Sequence, residues 1–72
     1  MKKQELLITL GRRIVKLRTK KNLTQRDLAI ACDKNPQSIE RVENGKINPS
    51  IYYLQEIAQA LEVPLKKLFE FD

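Results

Sequence analysis

The chain has 72 residues, with 14 Lys and Arg, 9 Asp and Glu, one Cys and no His. This length suits one domain with a small core, and a single Cys excludes an intramolecular disulfide. Without His, the usual zinc sites and histidine-activated nucleophiles cannot be assembled. The apolar runs are far shorter than the ~20 residues of a membrane-spanning helix. We therefore expect a cytoplasmic protein with no metal, no cofactor and no membrane segment.

Basic residues are concentrated in the first two-thirds of the chain. Residues 1–46 hold twelve basic and five acidic residues, a net charge of +7, whereas residues 47–72 hold two basic and four acidic, a net charge of −2. Lys and Arg bind a polyanion by releasing the counterions condensed on its phosphates, so this distribution favours a nucleic-acid partner. Small basic proteins also use charge for solubility alone, so charge is the weaker part of the argument.

Apolar residues recur at a spacing near that of an α-helix along most of the chain, and no alternating strand pattern is present. The first helix is predicted from about Gln4 to Lys20. Its apolar stripe consists of Leu6, Leu7, Leu10, Ile14, Val15 and Leu17. Asn22 breaks this helix. Thr24 is then the predicted N-cap of a second helix over Gln25–Cys32, with Asp27 completing a capping box.

The third helix has the clearest start signal. Asn35 is a favourable N-cap residue, and Pro36 suits the first helical position because it has no N–H to leave unpaired. We predict this helix over Pro36–Asn44, with Gly45 free to adopt a positive φ just beyond it.

Two more helices are predicted in the last third of the chain. The fourth follows Asn48-Pro49-Ser50, and its inner face consists of Ile51, Leu54, Ile57, Ala58 and Leu61. The fifth is shorter, starts near Pro64 and directs inward Leu65, Leu68 and Phe69. The pattern therefore predicts an all-α fold, a compact domain of five helices over residues 1–72.

The third helix combines a buried face with an outward polar row. With Ile39 at the centre of the buried face and about 100° per residue, Val42 and Glu43 flank it. The far side then carries Gln37, Arg41 and Asn44. Gln and Asn pair bidentately with adenine, and Arg with guanine. An isolated face of this kind is usually only solvated. The preceding helix, the caps and the basic surroundings together favour base reading in the DNA major groove.

Three segments, LTQRDLA, NPQSIERVENGK and the following NPS, resemble the helix-turn-helix domain of the lambdoid phage repressor and Cro group, also called the xenobiotic response element family. The resemblance runs from about Leu10 to Phe69. The block S-I-x-x-x-E-N-G-K and the final L-x-x-L-F are specific in combination. The resemblance implies a five-helix, repressor-like fold with its helix-turn-helix at about residues 24–44. Gln25–Cys32 would be the positioning helix and Pro36–Asn44 the recognition helix.

The resemblance also implies roles for individual residues. Base contacts are implied for Gln37, Ser38 and Arg41. Phosphate contacts are implied for Gln25, Asn35, Asn44, Gly45 and Lys46, the last three through main-chain N–H groups and one charge. Arg18 would pair with Glu43 beneath the recognition helix, as a structural contact. Asp33 stands where the turn usually has Gly, and a left-handed backbone is less favourable for Asp, so we expect a turn that is kept but slightly strained or reshaped.

These roles describe a sequence-specific regulator of transcription that binds double-stranded DNA, and we expect repression because no activation surface is evident. One such domain reads about half a site, so we expect a homodimer on a near-palindromic operator. Phe71, together with Phe69, is the candidate dimer contact. The family implies a prokaryotic or phage-type protein, associated with the nucleoid when bound.

Two other classes of function remain open. A protein-interaction module, such as the antitoxin partner of a toxin, would bind a protein partner through the last two helices, with DNA binding secondary. An enzyme is the weaker alternative, because the chain has no His, no Gly-rich phosphate loop and no paired acids. Cys32 is predicted to be a buried small hydrophobe rather than a redox sensor.

Overall fold

Four α-helices and a terminal 3-10 helix make up the protein in the computed structural model, which describes residues 1–71. In chain order they are α1 (Lys3–Lys20), α2 (Gln25–Ala31), α3 (Pro36–Glu43), α4 (Ile51–Ala60) and η1, the 3-10 helix (Leu65–Phe69). No strand occurs within these residues, and the predicted all-α class is confirmed. The first three predicted helices agree with the observed ones to within a residue at each end, and α4 begins directly after Asn48-Pro49-Ser50, as predicted.

The predicted fifth helix is wrong in type, because η1 is a 3-10 helix of five residues. At three residues per turn, side chains three apart eclipse each other, so Leu65 and Leu68 share the inner face. Phe69, which was predicted to point inward, is therefore turned outward and is 40% exposed. Phe71 packs against the core in its place, so only Phe69 of the predicted dimer contact is exposed.

Two other apolar side chains predicted to face the core are exposed. Ile51, the first residue of α4, is 66% exposed. Leu6 is 40% exposed. It lies about 140° around α1 from Gly11, the residue at which α1 meets α3.

The helix starts follow the predicted capping chemistry. The hydroxyl of Thr24 accepts from the Asp27 N–H at 3.0 Å, and the Asp27 carboxylate accepts from the Thr24 N–H at 2.9 Å. The bond from the Thr24 N–H, and next the Thr24 side chain, hold the pKa of the Asp27 carboxyl below its usual value. Asn35 Oδ1 accepts from the Ser38 N–H at 2.7 Å, with Pro36 as the first residue of α3. The capping box and the N-cap of α3 are both confirmed.

All four α-helices end in the same way, on a residue with left-handed backbone. These residues are Asn22 (φ 60°), Asp33 (φ 57°), Gly45 (φ 69°) and Glu62 (φ 59°). The next N–H then bonds a carbonyl five residues back, as from Lys34 to Ala29 at 2.8 Å, which is the Schellman arrangement. Only Gly adopts this backbone without cost, so Asp33 is strained, as the sequence predicted.

The core joins residues from every element. Its fully or nearly buried members are Leu10, Ile14, Leu28, Ala29, Cys32, Ile39, Val42, Leu54, Ile57, Ala58, Leu61 and Leu68. Within this core, α1 and α3 meet at backbone distance, because a Cβ on Gly11 would lie only 2.1 Å from the carbonyl oxygen of Glu43. The crossing at Gly11 therefore places the C-terminal end of α3 directly against α1.

Candidate nucleic-acid interface

Helix α3 is buried on one side and polar on the other. Ile39 is fully buried and Val42 is 2% exposed, which fixes the side that faces the core. The opposite side, together with the loop that follows, is called here the outer face of α3. It consists of Gln37, Glu40, Arg41, Asn44 and Lys46. Four of these, all except Asn44, line an open depression of about 310 Å³.

Three exposed side chains on this face have base-reading chemistry, Gln37, Arg41 and Asn44, but the Asn44 amide already donates to the Glu40 carbonyl. Gln37 and Arg41 are the remaining pair. They stand one helical turn apart, so they are neighbours on the helix surface. Neither side chain forms a hydrogen bond or ion pair with the rest of residues 1–71. Their amide and guanidinium groups are therefore available for base edges.

Ser38, the third residue predicted to contact a base, lies in a different environment. Its hydroxyl is hydrogen-bonded to the hydroxyl of Tyr53 on α4, and its side chain is half-buried. The structure thus places Gln37 and Arg41 together on the outer face of α3 and ties Ser38 to a neighbouring helix.

The segment after α3 contains three of the residues predicted to contact phosphate. The main-chain N–H groups of Asn44, Gly45 and Lys46 all bond carbonyl oxygens within the end of α3. Phosphate contacts from this segment would therefore come from side chains. Lys46 Nζ lies 2.9 Å from Glu40 Oε1, and Asn44 Nδ2 donates to the Glu40 carbonyl at 3.1 Å. The Lys46 side chain is exposed, but it is already paired with Glu40.

A buried ion pair lies beneath the outer face of α3. Arg18 Nε donates to Glu43 Oε2 at 2.7 Å, and Nη2 donates to Oε1 at 3.0 Å. The carboxylate also accepts from Gln25 Nε2 at 2.9 Å, while Arg18 Nη1 donates to the Leu23 carbonyl at 2.8 Å. The predicted contact between Arg18 and Glu43 is present, and this network joins α1, α2 and the C-terminal end of α3.

The same network and the N-cap of α3 involve the last two residues predicted to contact phosphate. The side chain of Gln25 is directed inward to Glu43, which leaves its main-chain N–H, at the first position of α2, without a helical partner. Asn35 caps α3 through its side-chain oxygen, so its amide nitrogen keeps two donors at an exposed position.

Two positions that support the outer face of α3 were not predicted from the sequence. One is Gly11, although a lone Gly within a helical pattern is itself a signal of close packing. The other is Tyr53. It is adjacent to Tyr52, and only the fold shows that Tyr53 is half-buried while Tyr52 is 71% exposed.

Three other kinds of feature would indicate other functions: a metal site, a membrane-spanning helix and a reactive cysteine. Residues 1–71 contain no group of three or more His, Cys, Asp or Glu side chains placed to bind a metal ion. None of the helices described is long and apolar enough to span a membrane. Cys32 is buried, its Sγ donates to the Leu28 carbonyl at 3.1 Å, and burial raises the pKa of the thiol. It is a core residue, as predicted.

Comparisons with known proteins agree with this arrangement. A family profile described as helix-turn-helix matches residues 14–68. An uncharacterised HTH-type transcriptional regulator from Archaeoglobus fulgidus is 35% identical over 60 residues, which cover 83% of this chain and 84% of that protein. Control protein C.BamHI from Bacillus amyloliquefaciens is 34% identical over 62 residues, which cover 85% of this chain and 76% of that protein.

A solved structure shows the same fold. The restriction-modification controller protein C.AhdI from Aeromonas hydrophila superposes with a TM-score of 0.86 at 33% identity, covering 88% of this chain and 96% of that one. A further relative, the putative multi-protein-binding factor 1 of Yarrowia lipolytica, is longer: the match at 31% identity covers 81% of this chain but 38% of that protein. With its profile match, its relatives and its fold in agreement, this chain belongs to the helix-turn-helix family of the Cro and phage-repressor type.

Proposed function

We propose that this helix-turn-helix regulator binds a specific sequence of double-stranded DNA with the outer face of α3 in the major groove, and that it represses transcription from the site it occupies. The observation that carries the proposal is the pair Gln37 and Arg41, exposed, one turn apart and free of partners in the described chain. The similarity to a transcriptional regulator and to two control proteins supports a regulatory role.

Two sets of residues would share the recognition of DNA: one set positions the protein on the phosphate backbone, and the other reads the bases. Contacts to phosphate fix the register of a protein on the duplex, whereas contacts to base edges specify sequence. We assign positioning to the side chains of Asn35, Asn44 and Lys46 and to the main-chain N–H of Gln25. Gly45 would then act indirectly, because its left-handed backbone turns the chain from α3 toward Lys46. The basic first two-thirds of the chain would add a sequence-independent attraction that falls with salt.

The operator would be a near-palindrome bound by two copies of the chain. One recognition helix covers about half a site, and paired domains reach half-sites about one helical turn apart. Phe69 is the best-placed apolar side chain for the contact between copies, because it is exposed near the end of the chain while Phe71 packs on the core. Two relatives are named as control proteins, so transcriptional control of that kind is the role we assign to this chain.

The test is an in vitro selection from random duplex DNA at near-physiological salt, followed by sequencing of the retained duplexes. Enrichment of a palindrome with half-sites about one turn apart supports both specific reading and the dimer. Enrichment of a single short half-site supports specific reading and contradicts the dimer. Salt-sensitive binding without enrichment contradicts direct reading by α3. Absence of DNA binding, with a specific protein copurifying, favours the interaction-module alternative.

A further inference from the structure

We propose that Tyr53 is a positioning residue for base reading by the N-terminal half of α3. This inference rests on the proposed DNA-binding function and extends it to a residue on α4 that lies outside the recognition helix. Tyr53 would act through Ser38, and the side chain whose aim it controls is Gln37, the neighbour of Ser38 in the first turn of α3.

The contact joins the first turns of two helices. Ser38 is the third residue of α3 and Tyr53 is the third residue of α4, and their hydroxyls are hydrogen-bonded to each other. Each backbone N–H is itself capped, that of Ser38 by Asn35 and that of Tyr53 by Ser50 at 3.0 Å. Both hydroxyls are therefore carried by residues whose backbone is held by a cap. The bond between them fixes the first turn of α3 relative to α4.

A second contact holds the preceding turn to the same face of α4. Lys34, in the turn between α2 and α3, has its ammonium 4.8 Å from the centre of the Tyr53 ring. The same ammonium lies 2.7 Å from Glu56 Oε1, one helical turn after Tyr53 on α4. This hydrogen bond raises the pKa of Lys34 and so favours the charged ammonium that lies over the ring. Tyr53 is thus contacted both by the turn and by the helix that follows it.

The two halves of α3 are held by different means. The C-terminal half is fixed by the bonds of Glu43 to Arg18 and Gln25 and by the backbone crossing at Gly11. The bond to Tyr53 is the side-chain hydrogen bond that links the N-terminal half to another helix. A base-reading group must be held within about 0.5 Å of its productive position. Loss of this bond should therefore affect Gln37 far more than Arg41.

The hydroxyl pair also changes the role expected for Ser38. Two hydroxyls carry two O–H protons, and one of them lies between the two oxygens. The other remains, on Ser38 or on Tyr53, depending on which hydroxyl donates to its neighbour. The pair therefore offers DNA a single donor, so any base contact in which Ser38 donates depends on which way the bond to Tyr53 points.

The experiment compares Tyr53→Phe, Ser38→Ala and the double variant with the wild type, and uses Tyr52→Phe, at the exposed neighbouring tyrosine, as the matched control. Each protein is titrated against the selected operator and against a panel of operators with single base-pair changes, at several salt concentrations. The Gln37→Ala and Arg41→Ala variants first identify the base pair that each side chain reads. Thermal unfolding shows whether each variant remains folded at the assay temperature.

We expect Tyr53→Phe to reduce the preference at the Gln37 base pair by roughly 3-fold to 10-fold, the effect of one hydrogen bond. The preference at the Arg41 base pair and the salt dependence should stay as in the wild type, because no phosphate contact is lost. Ser38→Ala and the double variant should match Tyr53→Phe, since all three remove the same bond. Amide hydrogen exchange in the first turn of α3 should also quicken relative to α1.

Other results overturn the role of Tyr53. An unchanged base panel, or an equal loss of affinity for every sequence, shows that the hydroxyl does not aim Gln37. Additive losses in the double variant show that Ser38 reads DNA on its own. If the wild type itself prefers no sequence, the proposed function is wrong, and the role of Tyr53 in base reading is wrong with it. Hydrogen exchange then still shows whether the hydroxyl bond holds the first turn of α3.

Discussion

The outer face of α3 and the outer face of α1 are both polar surfaces, but the face of α1 is the more basic of the two. The outer face of α1 is the side turned away from α3, where an open groove of about 390 Å³ runs between α1 and the start of η1. The groove is lined by Arg13, Lys16, Leu17, Lys20, Lys21, Val63 and Lys67. Arg13, Lys16 and Lys20 lie about 140° to 180° around α1 from Gly11, so this more basic surface points away from α3.

Two of the cations on the outer face of α1, Arg13 and Lys67, have acid or carbonyl partners. Arg13 Nε donates to the Lys67 carbonyl at 2.9 Å, and the Lys67 ammonium lies 3.1 Å from Glu70 Oε1. On the outer face of α3, by contrast, Gln37 and Arg41 have no such partners in residues 1–71. The proposed interface therefore does not follow the density of positive charge. It rests on the exposed, base-reading side chains of Gln37 and Arg41, which have no partners in residues 1–71 and lie on a helix fixed by the bonds of Glu43.

The largest expected difference between the two regions concerns stability. Arg18→Met leaves Glu43 as an uncompensated buried carboxylate, which should lower the free energy of unfolding by about 3–5 kcal/mol. Lys21→Met breaks the pair with Glu62, whose side chain is 83% exposed, and should cost less than about 1 kcal/mol. Urea unfolding of both variants measures the difference. Equal losses in the two variants would contradict the idea that the buried pair beneath α3 stabilises the protein more than the exposed pair at the end of α1 does.

Base reading gives the next largest effect. Arg41→Ala should weaken binding to the selected operator by about 1–3 kcal/mol and relax the preference at one base pair, because a bidentate contact to guanine is lost. Lys20→Ala, on the outer face of α1, should leave that preference as it is. Titration of both variants against the operator and its single base-pair variants makes the comparison. A uniform loss with Arg41→Ala would place this side chain on phosphate instead.

The two regions also show which features could be predicted from the sequence. Helix positions and N-caps were predictable because they depend on neighbouring residues, as with Thr24 and Asp27. The crossing of Gly11 over Glu43 and the bond from Ser38 to Tyr53 were not, since they depend on how distant helices pack.

The family resemblance predicted a distant contact correctly, whereas local periodicity placed one side chain wrongly. The contact between Arg18 and Glu43, 25 residues apart, was reached only through the family resemblance. The inward position of Phe69 was wrong because α-helical spacing was applied to a segment that forms a 3-10 helix. The contacts of Gln37, Arg41 and the positioning residues with DNA stay predictions, because they depend on a partner that the chain alone does not contain.

A smaller effect is expected from the charges that flank the base-reading pair. Lys46→Ala should weaken binding to all sequences about equally and reduce the slope of log affinity against log salt by roughly one. Glu40→Gln should strengthen binding to all sequences, because it removes an acid beside the DNA and releases Lys46 from its ion pair. Affinities for operator and random duplex over a range of salt concentrations measure both. A sequence-dependent effect of Lys46→Ala would contradict its assignment to phosphate.

The smallest expected effect concerns the strained turn beneath α3. Asp33→Gly should raise the free energy of unfolding by about 0.5–1 kcal/mol, because Gly adopts φ 57° without a steric penalty. Asp33→Ala removes the same carboxylate but keeps a Cβ, so it should be less stable than Asp33→Gly by about 1 kcal/mol. Asn22→Gly, at the matching position after α1, should gain less, since Asn is the residue that most often stands in for Gly at a left-handed helix end. Urea unfolding of the three variants shows whether the backbone is more strained at Asp33, in the turn of the helix-turn-helix, than at Asn22, at the end of α1. Equal stability of the Gly and Ala variants at position 33 would show that backbone strain is not the cause.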